Sequence, residues 1–156
     1  MEPDHDATDP ELIKLRILGR AVAVAFALFC GTGMLGHLTH HSVDPHSTFG
    51  SLVRWGDGGE PQEVMLSAIY LAIAGYLWIA AAQPFQHWLH LDFALAANVA
   101  HSAVMVLLSF IWPHSMQHLW GDSLITVVPT LLLAYAWLPI RGRVRRAAAQ
   151  RQASTE

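Results

Sequence analysis

Four separate stretches of about 20 mainly apolar residues constrain this chain more than any other feature, because that length spans a hydrocarbon core of about 30 Å. Composition agrees: 53% of the 156 residues are hydrophobic and only 13% are charged. A soluble domain carries about 25% charged residues. The few charges crowd into the two ends and one loop. The reading is an integral membrane protein of a single domain: all-α, a four-transmembrane-helix antiparallel bundle.

Residues 1–8 are acidic and read as disordered. At Asp9-Pro10-Glu11 a helix is expected to begin, since Asp9 can cap free N–H groups, Pro10 suits the first turn and Glu11 favours the positive dipole end. Lys14, Arg16 and Arg20 follow, with stems long enough to snorkel toward head groups. The start of the chain lacks a basic region and the apolar run lacks an A-x-A-like end, so the first helix reads as retained rather than as a cleaved signal peptide. The expected spans are 17–36, 63–82, 91–112 and 123–140, making one transmembrane domain over 9–140. Gln83-Pro84 and Pro113 mark span ends. The short connection 83-QPFQHWLH-90 predicts antiparallel neighbours, and 141–156 forms a basic cytoplasmic tail.

Orientation follows from the basic residues. Eight of the nine Lys and Arg lie on the N-terminal approach or the C-terminal tail, and only Arg54 lies in a loop on the opposite side. The positive-inside rule therefore puts both termini in the cytoplasm. Trp55, Trp112 and Trp120 then fall near the outer interface, with Trp88, Trp137 and Tyr135 near the inner one.

With that topology, 37-HLTHHSVDPH-46 ends the first span on the outer side. His114 and His118 share that side, as do Asp57, Glu60, Glu63 and Asp122, while His87 and His90 fall on the cytoplasmic side. His37, His40 and His41 stand at i, i+3 and i+4, so on a continuing helix they share one stripe; His114, His118 and Asp122 repeat the spacing. Neutral imidazoles with a carboxylate suit zinc or copper, which makes His37, His40, His41, His114, His118 and Asp122 a candidate metal set. The plainer reading is a wet interfacial loop whose histidines bond water and head groups, and a pH-responsive contact is a third. No H-E-x-x-H or C-x-x-C motif is present, and Cys30, alone in an apolar helix, reads as a buried inert thiol.

His101 lies about ten residues, or roughly 15 Å, into the third span, near the bilayer midplane. Asn98 is one turn before it and Met105 one turn after. Polar groups at this depth usually face the bundle interior. The plain expectation is a neutral His101 bonded to Asn98, Thr126 or a fourth-helix carbonyl loosened by Pro129. A bis-histidine haem fails for want of a second histidine at that depth. A single axial ligand for a chlorophyll-type pigment stays open, because 97-ANVAH-101 has an A-x-x-x-H spacing, and so does a proton or quinone site.

From the second span onward, Tyr70, Pro84 with His87, His101 with Val104-Met105, His118-Leu119 with Gly121-Asp122, and Pro129 form an ordered pattern. It resembles a family of small bacterial four-helix membrane proteins known only as a domain of unknown function. The resemblance covers roughly the last hundred residues. It implies a bacterial inner-membrane protein and places emphasis on His101 and His118-x-x-x-Asp122; the 37–46 histidines lie outside it. No activity, cofactor or substrate comes with it.

The loops are too short for a soluble catalytic domain, and no nucleophile–base pair or phosphate loop is visible. The expected role is an accessory or scaffold subunit of a larger membrane complex. Its partners are then the bilayer and other membrane subunits or further copies, not nucleic acid; 31-GTGMLG-36 would permit close helix contact. The alternative is a metal- or cofactor-binding redox protein. A proton-coupled transporter ranks lower, with only His101 as a relay.

Overall fold

The computed structural model describes residues 9–44, 46–54, 59–112 and 116–153, apart from the side chains of Asp122, Arg151 and Gln152. The expected disorder of residues 1–8 and the placements of Trp55, Asp57 and His114 lie outside those residues. Every regular element described is helical: α1 Pro10–Leu38, the short α2 Gly50–Val53, α3 Glu60–Ala82, α4 Pro84–Ile111, a 3₁₀ turn Met116–Leu119 and α5 Asp122–Ala153. Among the described residues three segments are long and apolar enough to cross a membrane: Glu60–Ala82, Pro84–Ile111 and Met116–Gln150, which carries α5.

Local chemistry explains where the helices begin. Asp9 caps α1, its Oδ1 accepting from the Glu11 N–H at 2.9 Å. Residues 84–90 are helical rather than a loop. Proline lacks the N–H that a first turn leaves unused, so Pro84 starts α4 with only Gln83, at φ −130° and ψ 62°, between it and the end of α3; inside α4, His87 departs from helical values at φ −120° and ψ 27°. The tail is helical too: α5 runs for 32 residues, about 48 Å, with Pro129 and Pro139 inside it. Beyond Ile140 it is held by burial of Val144 and Ala148.

Side-chain contacts give the directions. α1 runs against α3, because Gly19 meets Ala81 near one end and His37 meets Glu63 near the other. A Cβ on Gly19 would lie 2.7 Å from that of Ala81, so the missing side chain sets how closely these helices approach. α3 runs against α4, through Tyr76 stacked on His90 and Tyr70 edge-on to His101. α4 runs against α5, through Asp92 with Arg141 and Ser102 opposite Thr130. α1 also packs on α5, placing α1 diagonally across from α4. The result is an up-down-up-down bundle in which the start of α1 lies against the last third of α5, with Asp9 Oδ2 2.6 Å from an Arg143 guanidinium nitrogen.

That hydrogen bond from Arg143 holds the Asp9 carboxyl below its ordinary value of 3.8. A depressed carboxyl contributes stability that is whole above the ordinary value and is lost as pH falls through the lowered one. Arg143→Gln is therefore expected to lower the thermal midpoint slightly at pH 7 and by progressively less as pH falls below 3.8, as differential scanning fluorimetry over that range would show.

The core changes character along the bundle. Toward the terminal end it is apolar, with Leu12, Leu15, Leu77, Leu91, Trp137 and Val144 nearly inaccessible. Toward the other end the α4–α5 contact is filled by small polar side chains: Ser102, Ser109, Ser123, Thr126 and Thr130 are all buried. Small residues let two helices approach, and their hydroxyls bond back to their own helix. Thr130 donates to the Thr126 carbonyl at 2.7 Å and Ser109 to the Met105 carbonyl at 2.9 Å.

Candidate functional site

The loop end carries a cap built on one arginine. α1 stops at Leu38 with Thr39 as C-cap and His40 at φ 57°, in the left-handed region. The His41 N–H reaches the Gly36 carbonyl at 2.8 Å and the His40 N–H reaches that of His37 at 3.2 Å, the paired bonds of a Schellman stop. Because the chain turns here, His37, His40 and His41 do not form the single stripe that a continuing helix would give them. Glycine is the usual residue in this backbone state. His40→Gly is expected to raise stability by about 0.5–1 kcal/mol, read as a higher melting midpoint in detergent.

His37 turns inward, its Nε2 2.8 Å from Glu63 Oε2. Arg54, only 7% exposed, joins the same carboxylate. It donates from Nε to Glu63 Oε2 at 3.3 Å, from one terminal nitrogen to Glu60 Oε1 at 2.9 Å, and from the other to the Val43 carbonyl at 2.7 Å. The guanidinium thus ties the 42–44 segment and α3 together, and through Glu63 it reaches α1. α2 rests on the 3₁₀ turn, and a Cβ on Gly121 would collide with the Leu52 carbonyl. Only glycine lets that backbone approach.

Of the remaining candidate metal residues, His40 and His41 are exposed, and His41 Nδ1 is engaged by the Thr39 carbonyl at 2.6 Å. His118 is buried on the 3₁₀ turn. Among the described residues no three His, Cys, Asp or Glu gather to hold a metal ion; His114 and the Asp122 side chain lie outside the described residues.

A second polar locus lies in mid-span. Asn98 is 1% exposed and donates to the Ala94 carbonyl at 2.7 Å, which leaves its Oδ1 with no partner among the described residues. Thr126 bonds the Ser123 carbonyl. Neither Asn98 nor Thr126 therefore takes up His101, whose described contact is the Tyr70 ring, 5.3 Å between centroids and edge-on. Tyr70 in turn meets Phe26 of α1 at 5.2 Å. Met105 is partly buried one turn on. Beside this locus α4 and α5 leave an apolar groove of about 500 Å³ lined by Ser102, Val106, Phe110 and Val127.

At the terminal end, Asp92 Oδ1 accepts from Arg141 Nε at 2.6 Å and from the Trp137 indole at 2.8 Å, and its Oδ2 accepts from Arg141 at 3.0 Å. Trp137 is fully buried by this bond rather than standing in an interfacial belt. Sequence reasoning passed over Asp92, although it is the one carboxylate between Glu63 and Asp122 and so the plainest signal of a helix-to-helix clamp. It also treated Arg54 only as a topology marker. No protein-family model, curated protein or solved structure matches the chain, so what it does must be read from its own residues.

Proposed function

We propose that this chain is a four-span membrane protein, both termini cytoplasmic, that serves as an accessory or scaffold subunit of a larger membrane assembly. A role for α1 as the fourth span is supported by the 18 residues from Ala21 to Leu38, which contain no Asp, Glu, Lys or Arg. The orientation rests on the basic residues gathered at the terminal end.

The observation that carries the scaffold reading is where the ionisable side chains go. Asp92 and Arg141 neutralise one another between α4 and α5, Arg54 pairs with Glu60 and Glu63 across the cap, and His37 bonds Glu63. These charges fasten helices. They do not converge on a cavity where a reaction could be driven. Gly33 and Gly75, each with open space where a Cβ would stand, leave room on the outside of α1 and α3 for a further helix.

A second reading, a cofactor-binding redox protein, draws support from His101 beside Tyr70 and from the unpartnered Asn98 acceptor. Purification in mild detergent without a histidine tag separates the two. The scaffold reading expects a stoichiometric assembly with another membrane protein or further copies, colourless and metal-free. A monomer with stoichiometric metal, or with an absorption band abolished by His101→Leu, would sink it in favour of the second.

A further inference from the structure

The charges at the terminal end are not all satisfied. Lys14 pairs with Glu11, Arg141 with Asp92 and Arg143 with Asp9, and Arg145 lies over the Trp88 ring at 5.1 Å. Among the described residues Arg16 and Arg20 have no such anion. Both are half-buried, and the Nε of each is sealed from water with no hydrogen-bond partner among the described residues. The Arg20 guanidinium sits over the exposed ring of Trp78 on α3, 5.0 Å from its centroid. Arg16 is one turn away on the same flank of α1. Lys14 reaches the opposite flank, over Tyr135 of α5.

We propose that Arg16, Arg20 and Trp78 form a binding site for the phosphate head group of an anionic membrane lipid. An arginine Nε–H closed off from water without an acceptor is costly, and a phosphate offers acceptors to the guanidinium through paired N–H···O bonds. The site sits at the right depth, because the uncharged run of α1 begins at Ala21, immediately after Arg20. Tryptophan belongs at that level, where its ring faces the glycerol region while the head group stays wet. Basic pockets between helices at this interface take lipid phosphates. The proposal needs only that the bundle lie in a bilayer, and it stands or falls apart from the scaffold reading.

The test is lipid retention by the full chain, read by native mass spectrometry after detergent exchange from membranes of mixed phosphatidylglycerol and phosphatidylcholine. One phosphatidylglycerol per chain should be retained. The pair Arg16→Lys/Arg20→Lys keeps the charge that sets topology but loses the planar fork, and should bind it roughly tenfold more weakly. Arg145→Gln/Arg146→Gln should leave binding unchanged. Equal retention by the Lys pair, or equal retention of phosphatidylcholine, would overturn the site. Displacement by millimolar inorganic phosphate would reassign it to free phosphate and overturn the lipid.

Discussion

Arg54→Ala should detach the cap and lower the stability of the bundle by about 2–3 kcal/mol. The magnitude follows from what is left behind. Arg54 is nearly buried and answers three acceptors, so its removal takes a donor from the Val43 carbonyl and a fixed cation from both Glu60 and Glu63. Breaking a buried pair from one side costs about 3–5 kcal/mol, and the 45% exposure of the Glu60 side chain returns part of that through water. Arg54→Lys, with one compact ammonium in place of a planar fork, should recover only part of the loss. The distinguishing readout is local: a cysteine at Leu52, half-buried on α2, should react with an aqueous thiol reagent several times faster in Arg54→Ala. Unchanged reactivity and an unchanged melting midpoint would show that the cap is held by something else.

Asp92→Ala is expected to act at the opposite end. Asp92 takes three hydrogen bonds from α5, two of them from a guanidinium. Bonds to charged groups contribute about 1.5–3 kcal/mol each, but the Arg141 side chain is 41% exposed and regains water, so a net loss of about 2 kcal/mol is expected. The buried Trp137 indole loses its acceptor as well, and its fluorescence should shift. Limited trypsin digestion should cut more rapidly after Arg141 and Arg143, since the α5 extension loses its tie to α4. Asp92→Asn keeps an acceptor for the indole and should fall between wild type and Asp92→Ala. A trypsin pattern identical to wild type in Asp92→Ala would mean that Val144 and Ala148 alone hold the extension.

The two clamps also explain what could be read without coordinates. Helical class, the apolar lengths and the concentration of basic residues at the chain ends are local or additive properties, and Asp9 capping a helix and Pro84 closing the one before it depend on near neighbours alone; that Pro84 also opens the next helix at once was not read from the sequence. The polar sites were a different matter. The expectation that His37, His40 and His41 share a stripe assumed an unbroken helix, and the left-handed His40 breaks it. Trp137 looked interfacial by its position in the chain and is buried because Asp92, 45 residues away, accepts its N–H.

Length and hydropathy thus determined by themselves that this chain forms apolar helices fit for a bilayer, because solvation is summed along a segment. Tertiary structure alone decided which charges are neutralised and which, like Arg16 and Arg20, are left over among the described residues, because pairing energies act over a few ångströms between residues far apart in the chain.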